Sequence, residues 1–134
     1  MKPQRRFLFL QGPAGPMFAR LGDRLRAQGN AVLRVNFCAG DAMAWGRRPA
    51  WHFHEAASQF APWLAPRLRE HSISDVILFG CRRALHAAAI PVLRLHGARI
   101  HVFEEGYIRP NWISVERLGA GDTPWLPRDP QWYR

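Results

Sequence analysis

Cysteine is scarce in this 134-residue sequence, which contains only Cys38 and Cys81. Their spacing matches no metal-binding motif, and in a cytosolic protein such a pair is not expected to form a structural disulfide. We therefore expect two free thiols. His52 and His54 are also of metal-ligand type, but no third ligand accompanies them, so we expect a solvent-facing loop there and no metal site.

Long apolar runs are also missing, and none of the runs present approaches the length of a transmembrane span. Near the N-terminus, Lys2, Arg5 and Arg6 precede the apolar stretch 7–10, which is too short for the core of a signal peptide. We interpret this stretch as a first β-strand and expect a cytoplasmic protein.

Acidic residues are few, since ten Asp and Glu stand against nineteen Lys and Arg, for a net charge of +9. Such an excess favours anionic partners, among them nucleotides, nucleic acid, acidic sugars and acidic lipid surfaces. All of the cations except Lys2 are arginines, whose planar fork suits phosphate and carboxylate recognition. A GC-rich genome would also raise the arginine content, so charge alone does not choose among these partners.

What is present is the pattern of a globular α/β chain, with 48% hydrophobic residues and a mean hydropathy of -0.25. Short apolar runs alternate with longer amphipathic segments, which is typical of a parallel sheet flanked by helices. Strands are predicted at residues 6–10, 31–36, 75–79 and 99–103. We expect a Rossmann-like three-layer domain over residues 1–110, with four parallel strands in the order 3-2-1-4 and strands one and four side by side.

Two segments lack a regular period. Residues 38–54 are rich in glycine, tryptophan and charge, and they are predicted to form a long surface loop. In residues 111–134, Pro124, Pro127 and Pro130 alternate with tryptophan and tyrosine, and no core element is visible. We expect an aromatic tail that leads toward a second domain absent from the sequence.

Ligands of an open parallel sheet bind beyond the carboxyl ends of its strands, so the loops there are the candidate site. Glu104 and Glu105 stand out because adjacent residues on an extended segment point in opposite directions, and only one of them can face a cleft. We expect one to pair with an arginine and the other to be functional. The remaining candidates at this edge are Gln11 to Gly15, Asn36, Gly40, Asp41, Gly80, Arg82, Arg83, His86 and Tyr107 to Arg109.

Each of these candidates has a plain structural alternative. The first loop is glycine-rich but lacks both the P-loop ending and the three-glycine dinucleotide fingerprint, so a structural turn is favoured over phosphate binding. Asp41 could cap a loop, Arg82 and Arg83 could be a solvated pair, and His86 could pack on the sheet.

The same residues carry a resemblance to a known family. The sequence resembles the N-terminal half of the capsule polysaccharide biosynthesis proteins of the KpsS/LipB type, which are Kdo transferases that use a cytidine-monophosphate-activated sugar. The matching blocks follow the family's order along nearly the whole chain. They are Phe9 to Pro13, Val35 to Phe37 with Gly40 and Asp41, Leu78 to Gly80 with Arg83 and His86, Phe103 to Pro110, Trp112 and Ile113 with Glu116, and Leu126 to Pro130.

The resemblance implies one half of a GT-B-like glycosyltransferase whose active site lies between two Rossmann-like halves. The whole protein would transfer Kdo from CMP-Kdo to a lipid-linked acceptor, without a metal or cofactor. It implies other capsule assembly proteins as partners, a cytoplasmic location with peripheral contact at the inner membrane left open, and no nucleic acid. The implied catalytic residues are Glu105 and Asp41, and the implied substrate-binding residues are Gln11, Gly12, Arg83, His86, Glu104, Tyr107, Arg109 and Glu116.

Two departures from the family pattern fall on the functional edge. Cys81 stands where the family usually has aspartate, and residues 119–122 replace a Gly-Val-Asn-Gly-like turn after Glu116. We therefore expect that these 134 residues alone do not turn over an activated sugar. Two rival classes stay open: a basic nucleic-acid-binding module, although no signature of one is visible, and a non-catalytic scaffold of the capsule machinery.

Overall fold

The computed structural model describes residues 3–13, 15–80, 84–105 and 113–117, and for Glu105 it describes the backbone alone. In chain order the elements are β1 (Arg6–Leu10), α1 (Met17–Ala27), β2 (Ala31–Asn36), α2 (Ala39–Trp45), β3 (Ala50–His52), a 3₁₀ turn (Ala57–Gln59), α3 (Phe60–Glu70), β4 (Asp75–Phe79), α4 (Ala84–His96), β5 (Arg99–Glu105) and β6 (Ile113–Arg117). The alternation of strands and helices confirms the predicted α/β class.

In the described part of the chain, the strands form one sheet in the order β3-β2-β1-β4-β5-β6. Every neighbouring pair is parallel except β5 and β6. The predicted bounds of β1, β2 and β4 match the structure, and β5 continues two residues beyond the predicted 99–103.

The predicted strand order is wrong, because the strand at 75–79 pairs with β1 and lies between β1 and β5. The true third strand is the short β3, which lies inside the segment expected to be a loop. The prediction counts the strand at 75–79 as the third strand, whereas it is the fourth. The structure obeys that order once β3 is included.

β6 also lies where no core element was expected. Residues 113–117 pair antiparallel with β5, so that Ile113 is opposite Glu105 and Arg117 is opposite His101. Regular structure therefore does not stop at residue 110. The prediction that the rest of the tail leads toward a second domain falls outside the described residues.

The core has two halves because strand residues alternate between the two faces of the sheet. Phe7, Phe9 and Ile77 pack under α1 and α2, while the next residues along the same strands pack under α3 and α4. That second set includes Leu8, Leu10, Val76, Leu78 and Val102. Both faces of the sheet are thus covered, which is the usual condition of a parallel sheet.

Helix α1 approaches the sheet closely at two glycines. A Cβ atom on Gly12 would lie 2.5 Å from Cδ2 of Phe18, and one on Gly22 would lie 2.8 Å from Cη2 of Trp45. The rings of Phe18 and Phe9 meet edge to face with centroids 5.1 Å apart. The contacts of Phe18 with Gly12 and Phe9 fix where the helix begins relative to the end of β1.

A buried carboxylate joins the amino ends of the central strands. Asp75 is fully buried at the start of β4. It accepts hydrogen bonds from Nε and a terminal nitrogen of Arg5, from Ser74 Oγ at 2.7 Å and from His101 Nε2 at 2.9 Å. Burial by itself would raise the pKa of Asp75, but the hydrogen bonds from Arg5, His101 and Ser74 outweigh it and lower the pKa to about 2.

None of the helices in the described ranges combines the length and the hydrophobicity needed to cross a membrane.

We predict that Asp75→Asn destabilises the domain by about 2 kcal/mol at neutral pH, because the folded pKa lies well below the ordinary 3.8. A lowered pKa stabilises the fold above the unfolded value, and that stability is lost as the pH falls from about 4 through 2. In urea unfolding experiments, the free energy of unfolding of the parent should therefore rise with pH across this range, and the rise should be smaller for Asp75→Asn. Asp23→Asn is the matched control, since Asp23 pairs with Arg48 in solvent and should change little.

We also predict that Gly12→Ala destabilises the domain by roughly 1–3 kcal/mol, because the added methyl group would overlap the Phe18 ring. Gly40→Ala is the control, because its methyl group would meet only Cys38 Sγ at 3.7 Å and alanine favours a helix such as α2. Thermal melting of both variants tests this. Equal melting temperatures for Gly12→Ala and the parent would contradict the packing described above.

Candidate functional site

The carboxyl ends of β1, β2, β4 and β5 lie along one edge of the sheet, since these strands are parallel. From β1 the chain continues to β2 on one side, whereas β4 on the other side continues to β5. The point between β1 and β4 is therefore the topological switch point, where open α/β sheets bind their ligands.

The loop after β1 is held close to β2. Gln11 has a φ of 31°, a left-handed conformation that is unusual for a residue with a side chain. Its backbone N–H donates to the Val35 carbonyl at 3.3 Å. Gly12 is buried against Phe18, so close packing with α1 is sufficient reason for a glycine at this position. This agrees with the structural role that the sequence analysis favours for the loop. The binding roles of Gln11 and Gly12 stay predictions.

Asp41 stands in the first turn of α2 and is buried. Its Oδ2 accepts the backbone N–H of Phe37 at 2.9 Å, and its Oδ1 lies 3.5 Å from a terminal nitrogen of Arg34. Both carboxylate oxygens therefore contact groups of the protein itself, and the hydrogen bond to Phe37 is the loop cap that the sequence analysis gives as the structural alternative. A catalytic role for Asp41 stays a prediction, and these contacts favour a positioning role over direct chemistry.

Arg34 is a buried cation that sequence reasoning missed. It lies on the face of β2 beneath α2, with its guanidinium 5.4 Å from the Trp45 ring centre. Burial lowers the pKa of Arg34 because it removes water from the charged form, while Asp41 and Cys38 act in the opposite direction. An arginine among alternating residues of a strand would ordinarily be assigned to the solvent face, so only the burial of both sheet faces could have indicated its position.

His86 lies in the first turn of α4 and has no exposed surface. Its Nδ1–H donates to the Gly80 carbonyl at 2.8 Å, and Gly80 in turn donates its N–H to the Phe103 carbonyl at 2.8 Å. Gly80 has a φ of 73°, which glycine adopts without strain. His86 thus holds Gly80, the residue directly after β4, and its predicted binding role is untested.

Phe37, the residue after β2, packs on the side of the sheet covered by α3 and α4. Its ring lies 6.4 Å from the His86 ring and 5.2 Å from the Phe60 ring, measured between centroids. Aromatic side chains therefore pack the end of β2 against α3 and α4.

Glu104 and Glu105 are the last two residues of β5, at the carboxyl edge where they were expected. The Glu104 side chain is exposed. In the register with β6, Glu104 is opposite Ser114 and Glu105 is opposite Ile113. An exposed acid at this position is free of the packing roles that occupy Asp41 and His86.

The structure does not bring every candidate to the edge. Glu116 is opposite Val102, three residues back from the end of β5, and it is half-buried there. Arg83, Tyr107 and Arg109 lie outside the described residues, as does Cys81. Their predicted roles stay predictions.

Comparison with known proteins shows that the chain is similar to proteins of capsule polysaccharide synthesis. The family model described as "Capsule polysaccharide biosynthesis protein" matches residues 74–133. The chain is 35% identical over 130 residues to the capsule polysaccharide export protein KpsS of Escherichia coli, which covers 97% of this chain and 33% of that protein. It is 37% identical over 123 residues to the capsule polysaccharide modification protein LipB of Neisseria meningitidis, which covers 90% of this chain and 29% of that protein.

Solved structures resemble the chain in fold alone. A CobK precorrin-6A reductase superimposes with a TM-score of 0.57 at 18% identity, over 81% of this chain and 40% of that one. The UDP-glucose 4-epimerase of Thermotoga maritima, solved with UDP-glucose, gives a TM-score of 0.50 at 13% identity, over 69% and 35%. Both comparisons support the Rossmann-like architecture.

The chain spans about a third of the length of the curated relatives that it matches, and it corresponds to their N-terminal part. The residues that carried the resemblance, from Phe9 to Pro130, lie within a single homologous stretch. Over nearly its whole length the chain is therefore similar to the N-terminal part of capsule polysaccharide proteins, and its residues 74–133 match the model of the capsule polysaccharide biosynthesis family.

Proposed function

We propose that this chain is the N-terminal, Rossmann-like part of a capsule polysaccharide glycosyltransferase that transfers Kdo from CMP-Kdo to a lipid-linked acceptor. The observation that carries the proposal is the 35% identity to KpsS over 97% of the chain. The position of two acids at the end of β5 supports it, because that end is where such a sheet binds its ligands.

The donor sets the chemical requirements of the site. An activated Kdo carries a sugar carboxylate and a phosphodiester, so cations are needed to neutralise both. A carboxylate is needed at the anomeric centre as a base or a nucleophile. We assign that carboxylate to Glu105, and we assign the anion contacts to Arg83 and Arg109, which follow β4 and β5 in the sequence.

Three other edge residues act on the site through the fold in this proposal. Gly12 lets α1 approach the end of β1, Asp41 holds the turn after β2, and His86 holds Gly80 after β4. They are positioning residues, so their replacement should lower stability together with activity. Replacement of Glu105 should lower activity alone.

The chain by itself should not catalyse transfer. Holding donor and acceptor together in one site accounts for roughly 7 to 11 kcal/mol of a typical barrier. A single domain that forms only one side of the cleft cannot hold both substrates, so this contribution to lowering the barrier is lost. The second half would come from the remaining two thirds of a protein as long as KpsS.

We predict that a chimera with this chain in place of the matching N-terminal part of Escherichia coli KpsS transfers Kdo from CMP-Kdo to a lipid acceptor. Glu105→Gln should lower kcat of the chimera by at least about 100-fold, as expected when a catalytic acid or base is lost. Glu70→Gln is the control, because Glu70 is exposed at the end of α3, close to the opposite edge of the sheet. Full activity of a folded Glu105→Gln chimera would contradict the assignment.

The chain alone, incubated with the same donor and acceptor, should give no product above a control without protein. Product formation by the 134 residues would contradict the half-site proposal. A folded chimera without activity would instead contradict the transferase proposal.

A further inference from the structure

Helix α1 presents a basic stripe to solvent. Phe18, Ala19 and Gly22 face the sheet, while the exposed positions recur three and four residues apart, as expected for the outer face of a helix. These exposed residues are Arg20, Asp23, Arg24 and Ala27.

Helix α2 and the loop after it extend this stripe. Arg48 donates to both carboxylate oxygens of Asp23, at 2.7 and 2.6 Å, and donates also to the Trp45 carbonyl at 2.7 Å. The loop after α2 is thus tied to the outer face of α1. Arg47 is exposed beside this pair, and Met43 on α2 is 84% exposed. Together we call Arg20, Arg24, Met43, Arg47 and Arg48 the α1/α2 surface.

Three of the four arginines on this surface have no acidic partner in the described part of the chain. Within the described residues 15–49 the acids are Asp23 and Asp41. Asp23 is paired with Arg48, and Asp41 is buried beside Arg34. No ion pair in the described part of the chain involves Arg20, Arg24 or Arg47. The outer surface of two helices thus combines three uncompensated positive charges with one protruding apolar side chain.

We propose that the α1/α2 surface binds the headgroup region of an anionic phospholipid bilayer, with the arginines at the phosphates and Met43 inserted among the acyl chains. Basic side chains near such a surface are attracted by its negative potential, and an apolar side chain adds burial in the interface. Single-stranded nucleic acid fits less well, because it binds by stacking on exposed rings, and the aromatic residues of α1 and α2, Phe18 and Trp45, are buried.

The orientation suits the proposed site. Helix α1 starts beyond the carboxyl end of β1, and Arg20 lies in its first turn. The docked face therefore adjoins the edge that carries the candidate site. Lipid binding by this face does not depend on the proposed transferase activity, because it is measured without donor or acceptor.

The test is co-sedimentation of the 134-residue chain with vesicles of phosphatidylcholine containing phosphatidylglycerol, against vesicles of phosphatidylcholine alone. We expect binding to the anionic vesicles only, weakening as salt is added. Arg20→Gln with Arg24→Gln should weaken it about 25-fold, at roughly five-fold per arginine. The matched control is Arg69→Gln with Arg99→Gln, which removes equal charge from exposed positions outside the surface and should have an effect below about two-fold.

Met43→Ser should also weaken binding, whereas Leu95→Ser should not, since Leu95 is 89% exposed on α4 on the other side of the sheet. All six changed positions are exposed, so circular dichroism should show parent-like folding. Absence of binding to anionic vesicles, equal loss in the two arginine pairs, or tight binding to random oligonucleotides in place of vesicles would overturn the proposal.

Discussion

A buried carboxylate holds the amino ends of three central strands. Asp75 starts β4, and it accepts hydrogen bonds from Arg5 beside β1 and from His101 in β5. A buried charge is stable only when its partners are in place. The register of these strands is therefore fixed at the amino edge, at the end of the sheet opposite the candidate site.

The carboxyl edge uses several of its polar residues for its own construction. Asp41 binds the backbone of Phe37 and the buried Arg34, and His86 binds the Gly80 carbonyl. Fewer polar side chains at this edge are therefore available to a ligand than the sequence suggests. The two acids at the end of β5 and the residues that follow β4 and β5 are left as the candidate groups for chemistry. The proposal therefore assigns the carboxylate to Glu105 and the anion contacts to Arg83 and Arg109.

Much of the fold could be read from the sequence, because the apolar runs of β1, β2, β4 and β5 are strong signals. β3 could not, since a three-residue edge strand that begins Ala50-Trp51 has too few residues to show alternation. β6 was hidden by its place in a segment that also holds many prolines. Of the candidate site, the position of Glu104 and Glu105 followed from sequence order, whereas the burial of Arg34 depends on a helix that only the fold places above it.

The central claim is that the carboxyl edge contacts a ligand and the amino edge serves stability. The most direct measurement is a nuclear magnetic resonance titration of the ¹⁵N-labelled chain with CMP-Kdo and, separately, with a short-chain lipid acceptor. At least one of them should shift the amide signals of Gln11, Asn36, Gly80 and Glu104 in a saturable manner and leave that of Asp75 unmoved. Saturable shifts confined to the amino edge, or none with either ligand, would contradict the account.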